Sequence, residues 1–343
     1  MNAIAANVVG VDLAKNVFQA YWAEPETGEI RNVQIKRVKF LEHFVNRAPC
    51  VVGMEACGGA QHWTRELVKL GHEVVVLPAK AVKVFVTGNK SDAIDARAIW
   101  MAVRPGAVKR VVVKTEAQQA VLALHRMRQQ LVKVRTLQIN ELRGLLTEYG
   151  EVFAKGHAPL ARGIADALEW LGTKLLQVVI DSLLGRWQRV GKLDDQVAQI
   201  ETRLTSLLKE DECAQRILTI PGAGLLTATA ASAAVGQADA FKSGSEFTVW
   251  LGLASAHTGT GGKMRMLGIS KRGDTYLRTL LIYGARSVLT HGKHHSAWQQ
   301  QISQRRPMNV VIVALANKMA RTIWALLKHG RAYPAGWVSK APT

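Results

Sequence analysis

The chain has 343 residues, 48% of them hydrophobic, enough to bury two or three cores and too apolar for wholesale disorder. Lys and Arg number 45 against 26 Asp and Glu, and the net charge of +19 points to a polyanionic partner, nucleic acid before any other. The three cysteines, Cys50, Cys57 and Cys213, make no disulfide or metal framework; no apolar run reaches the roughly 18 residues of a membrane span; and the first residues lack a signal peptide's basic start, so a cytoplasmic protein with no membrane attachment is expected.

The first hundred residues alternate short strands and helices. Residues 8–11 read as a buried strand, with 17–22 and 32–38 as hairpin partners joined through Glu24-Pro25-Glu26-Thr27-Gly28. A helix at 40–46 leads to a strand at 51–54, then a helix at 63–70 and a strand at Glu73–Leu77 closed by Pro78. A basic stretch with Lys80, Lys83 and Lys90 follows, and Ser91 is placed to cap a helix carrying Asp92 and Asp95. Three meandering strands, then helix, strand, helix, strand and helix, describe an α/β layered sheet.

From about Glu116 the pattern turns helical. Leu124, Met127, Leu131, Val134 and Leu137 keep close to heptad spacing, and Leu193, Val197, Ile200, Leu204 and Leu207 step by 4, 3, 4 and 3. That spacing fits a coiled coil or ordinary helix packing within one chain. Ile217 through Ala228 reads as helix, glycine turn, helix, similar to a helix-hairpin-helix. In that reading Gly222 and Gly224 let backbone N–H groups approach a phosphate; a plain αα-turn is the alternative. A glycine-rich loop, His257 through Lys263, comes next, followed by basic helical material with Lys271, Arg272, Asp274 and Arg278. Residues 261–343 hold 14 Lys and Arg and the single acid Asp274, so the positive field is concentrated at this end.

Four carboxylates carry the chemistry. Asp12 ends the apolar run Val8-Val9-Gly10-Val11, and Glu55 ends Val51-Val52-Gly53-Met54. Asp92 and Asp95 lie three apart and share a helix face. Acids at strand ends pack poorly in a core but suit a hard cation, and an oxygen-only set points to Mg²⁺, two ions of it. Their order along the chain is that of an RNase H-like fold, with Arg97 orienting a site carboxylate. An actin-like or sugar-kinase ATPase opens similarly, yet it needs a second phosphate hairpin in a duplicated half, which the sequence lacks. Lys90, Lys263, Arg265, Lys271, Arg272 and Arg278 are candidate nucleic-acid contacts.

Five segments occur in one order: Val9-Gly10-Val11-Asp12-Leu13-Ala14-Lys15, Met54-Glu55-Ala56-Cys57-Gly58, Lys90 through Arg97, Ile220-Pro221-Gly222-Ala223-Gly224, and Gly268 through Asp274. Together they resemble the DEDD-type insertion-sequence transposases of the 110/1111 group, relatives of Piv-type DNA invertases, over residues 7–330. The resemblance implies a RuvC-like domain at 1–115, a helical coiled-coil connector at 116–212 and a mainly α C-terminal transposase domain at 213–343. It implies Mg²⁺-dependent cutting and rejoining of donor and target DNA, guidance by a structured noncoding (bridge) RNA, and assembly as a dimer or tetramer. It carries over Asp12, Glu55, Asp92 and Asp95 as metal-binding, catalytic acids. It also implies a serine nucleophile where this chain has Thr260, and a proline where it has Ser255. Three readings stay open: Thr260 is the nucleophile, Ser255 or Ser270 serves instead, or strand joining is impaired. The competing activities are a RuvC-like nuclease or resolvase that hydrolyses with water alone, and a non-catalytic nucleic-acid scaffold.

Overall fold

The computed structural model describes residues 7–89, 91–104, 108–236, 238–292, 295–331 and 333. It divides into two compact units, Met1–Thr115 and Glu116–Thr343.

The first unit is built on a five-stranded sheet of β1 (Val8–Asp12), β2 (Val17–Ala23), β3 (Ile30–Lys36), β4 (Val51–Glu55) and β5 (Glu73–Leu77), in the order β3-β2-β1-β4-β5. β1, β2 and β3 pair antiparallel, whereas β1–β4 and β4–β5 are parallel. Strands covered on both faces read as continuous apolar runs, which is why β1 and β4 show no polar alternation. Val9, Val11, Val52 and Met54 pack with Phe18, Phe40, Phe44 and Trp63, beside α1 (Phe40–Val45) and α2 (Ala60–Lys69). Val8 and Val51 face the other way, into a core with Ala98, Ile99 and Ala102 of α4 (Asp92–Val103), which follows the short α3 (Ala79–Val82). Gly10 and Gly53 point to the same side as Val8 and Val51. A Cβ on Gly10 would strike the backbone of Ala96 and Trp100, and one on Gly53 the side chain of Val103. The two glycines are what allow α4 to lie directly on the sheet.

The second unit begins with two long helices, α5 (Glu116–Glu148) and α7 (Gln177–Glu210), flanking α6 (His157–Gly172). Ion pairs Arg128–Glu201, Arg135–Asp194 and Arg186–Glu141 run in opposite sequence order, so α5 and α7 are antiparallel. On α7, Leu193, Val197, Ile200 and Leu204 are buried as the spacing predicts, while Leu207, the last of that stripe, is exposed. On α5 the stripe is displaced. Met127 and Leu137 are 55% and 57% exposed, while His125, Ile139, Leu142 and Leu146 are buried. Arg128, Val132 and Arg135 fill the intervening seam positions, at steps of 3 and 4. Two seam arginines with acidic partners on α7 hide this stripe from a hydrophobic pattern.

The remaining helices are α8 (Glu212–Leu218), α9 (Leu225–Val235), α10 (Gly244–Trp250), α11 (Thr275–His291), α12 (Ala297–Arg305) and α13 (Met308–His329). α13 is long and apolar enough to cross a membrane, but Ile312, Leu315, Met319 and Ile323 bury its face in the core of this unit with Phe247, Leu277 and Leu281. The glycine-rich segment expected as a loop is instead a β-hairpin, β6 (Ser255–Thr260) and β7 (Lys263–Ile269). Gly261 and Gly262, with φ of 57° and 78°, form its two-residue turn, the arrangement a type I′ turn requires.

Candidate functional site

β1 and β4 end side by side. The parallel register pairs Val11 with Met54, which brings Asp12 level with Glu55 at the carboxyl ends of the two strands. Side chains alternate along a strand, so Asp12 shares the face of Gly10, and Glu55 that of Gly53. That is the face covered by α4. Ala96, the residue after Asp95, lays its carbonyl oxygen against Gly10, two residues ahead of Asp12. Asp92 and Asp95 occupy the first turn of α4, where Ser91 accepts the Ile94 N–H at 3.4 Å. Acids in a first turn are favoured by the helix dipole.

Asp12, Glu55 and Asp95 are half-buried and Asp92 is exposed. Near both strand-end acids is an exposed thiol, Cys57. Desolvation raises its pKa, and the charges of Asp12 and Glu55 raise it further, so both carboxylates act on one small region. All four acids offer hard oxygen ligands, the donor chemistry of Mg²⁺. Among the described residues, however, no three His, Cys, Asp or Glu side chains gather into a group that could hold a metal ion. Asp12 and Glu55 share the sheet face that α4 covers, and the four acids are not closed into a cage.

In the second unit Thr260 ends β6, exposed, directly opposite Lys263 across the glycine turn. Ser255 is exposed at the start of the same strand, and Ser270 is half-buried beyond β7. Lys263, Arg265, Lys271 and Arg272 are exposed, as a contact to nucleic acid requires.

Two expected contacts look different in the structure. Arg278 is buried at 6% exposure, its guanidinium donating to the carbonyls of Leu251 and Arg272 at 2.8 Å each and to Thr275 Oγ1 at 3.1 Å. It is a structural clip and offers nothing to a phosphate. Gly222, at φ 87°, sits in the Ile220–Ala223 turn with its Cα turned onto the Gly284 backbone of α11. Its missing side chain serves helix packing, and Gly224 is exposed at the N-terminus of α9. Lys90 lies outside the described residues.

Sequence reasoning missed one further cluster. His125 is 1% exposed, with Nδ1 at 2.9 Å from the Tyr276 hydroxyl and Nε2 at 3.0 Å from Thr229 Oγ1. Thr229 spends its proton on the Leu225 carbonyl, so Nε2–H donates to Thr229 and Nδ1 accepts from Tyr276. Burial, and then the nearby Arg128 charge, lower the His125 pKa to about 4. The sequence carries no local signal for it, because its place in the α5 seam is readable only against α7 and α9.

Two family models match this architecture: a DEDD transposase domain over residues 9–151 and the transposase IS116/IS110/IS902 family over residues 214–300. These matches make the chain an insertion-sequence transposase, an enzyme of DNA transposition. A probable family 20 transposase of Pseudomonas aeruginosa is 40% identical, over 96% of this chain and 98% of its own length. The transposase of insertion sequence IS1111A from Coxiella burnetii is 38% identical over 96% and 92%, and that of IS1328 from Yersinia enterocolitica 35% over 95% and 98%. The chain belongs to the IS116/IS110/IS902 family of transposases.

Proposed function

We propose that the protein moves its element by cutting and rejoining DNA with four carboxylates and a threonine hydroxyl. The observation that carries this is the placement of Asp12 and Glu55 level at adjacent strand ends, on the sheet face covered by the helix whose first turn holds Asp92 and Asp95. The strand order β3-β2-β1-β4-β5, with a three-stranded meander and two parallel strands, supports an RNase H-like, RuvC-like domain. The antiparallel α5–α7 pair supports a coiled-coil connector.

Asp12, Glu55, Asp92 and Asp95 would hold Mg²⁺, which when bound supplies charge neutralisation at the scissile phosphate. The Thr260 hydroxyl attacks phosphorus, forming a Thr–O–P bond as the bond to the leaving DNA oxygen breaks, and the hydroxyl proton passes to that oxygen. The phosphodiester energy is kept in the protein–DNA link, so a second DNA hydroxyl reverses the step without ATP. The net charge of +19 supports contacts with DNA and with a structured guide RNA at once.

The test uses full-length protein purified with its nucleic acid and given DNA spanning the element's ends. Cutting requires Mg²⁺ and falls at least about a hundredfold in Asp12→Asn and Glu55→Gln, the equivalent of about 3 kcal/mol of transition-state stabilisation. Nuclease removal of co-purified RNA abolishes site choice. Undiminished cutting by Asp12→Asn would refute the assignment of the acids.

A further inference from the structure

We propose that the β6–β7 hairpin is a two-faced ribbon that enters a groove of duplex DNA, with its basic face on the phosphates and its methionine face against the bases. The proposal rests on the reading above that DNA is worked on at this hairpin, and it adds how the hairpin grips it.

The register defines the faces. Residues directly opposite in an antiparallel pair project to the same side. Thr258 pairs with Arg265 and Thr260 with Lys263, so one face is hydroxyl and basic. His257 pairs with Met266 and Gly259 with Met264, so the other carries two methionines, a glycine and the His257 imidazole. Met264 and Met266 are 71% and 64% exposed. Neighbouring thioethers held in water beside a bare glycine backbone mark a surface that works against a partner.

Charge selects the partner. Between Ser255 and Ile269 there is no acid, and Lys263 and Arg265 occupy the face opposite the methionines. A polyanion suits one face, and the flat apolar surfaces of bases suit the other. A two-stranded ribbon fits the major groove, and methionine is among the side chains that proteins wedge between base steps.

The base of the ribbon is built for this use. Ser270 N–H donates to the Ala254 carbonyl at 2.9 Å and Lys271 N–H to the Gly252 carbonyl at 3.1 Å. Arg278 ties Leu251, before the ribbon, to Arg272, after it. The ribbon is fixed where it leaves the helices and solvent-exposed along its length.

The experiment replaces Met266, in the full-length protein, with the photoreactive benzoylphenylalanine and irradiates it on a duplex spanning the element's ends. The expected product is a crosslink to a nucleobase. A crosslink to a second copy of the chain, or none, overturns the proposal. Alongside, Met264→Gln/Met266→Gln should bind this duplex about tenfold more weakly with an unchanged salt slope. Lys263→Gln/Arg265→Gln should flatten the slope of log K against log salt by roughly 1.8, about 0.9 per phosphate contact. Unchanged affinity in the methionine variant overturns the proposal as well. Crosslinks without any covalent strand chemistry would sink the recombinase reading alone, whereas covalent chemistry without crosslinks would sink the ribbon.

Discussion

Gly10 and His125 show how single residues hold this enzyme's architecture. At Gly10 the helix bearing Asp92 and Asp95 touches the strand bearing Asp12, backbone to backbone. Gly10→Ala must push α4 off the sheet. The expected cost is about 1–3 kcal/mol of stability, read by denaturant melts, together with loss of DNA cutting as the two pairs of acids separate. His125 is buried and neutral, with a folded pKa of about 4 against 6.5 when unfolded. The unfolded chain therefore binds the extra proton first as pH drops. Stability from this group is whole above pH 6.5 and is lost as pH falls towards 4, up to about 3 kcal/mol. Melting temperatures between pH 7.5 and 4.5 should fall less steeply in His125→Gln than in the parent; equal slopes would refute the assignment.

At the scale of elements, legibility followed how far a segment's pattern depends on itself. β1, β4 and β5 were legible because strands buried on both faces are apolar runs, and each strand-end acid is conspicuous after one. The α5 seam was not, because Arg128 and Arg135 are seam residues only by virtue of Glu201 and Asp194 on a helix some sixty to seventy residues away. The hairpin was hidden for a related reason. Its strands are exposed on both faces, so neither carries the buried, apolar half of an alternating pattern. Arg278 was misjudged because an arginine beside a turn reads alike whether it meets phosphate or the protein's own carbonyls. The seam yields a prediction of its own. Arg135→Leu leaves Asp194 without that partner and should cost about 1–2 kcal/mol, whereas Arg135→Leu/Asp194→Leu should recover to within about 1 kcal/mol of the parent. Thermal melts of the two variants check this.

For the whole molecule, the sequence made the layered sheet, the helical second half and the family readable. What the structure adds is that Asp12 and Glu55 lie level on the sheet face covered by α4, whose first turn holds Asp92 and Asp95, and that the departure at Thr260 sits on an exposed hairpin beside Lys263. In the mechanism we propose, cutting alone would need only the acids and water, whereas rejoining would need a hydroxyl that holds the DNA end. The most direct measurement is mass-spectrometric mapping of the covalent protein–DNA species trapped when the full-length protein, with its co-purified RNA, acts on DNA from the element's ends. The account predicts a nucleotide attached to the peptide containing Thr260, retained in Thr260→Ser and absent in Thr260→Ala. DNA ends released at the parental rate by Thr260→Ala, or an adduct on Ser255 or Ser270, would contradict it.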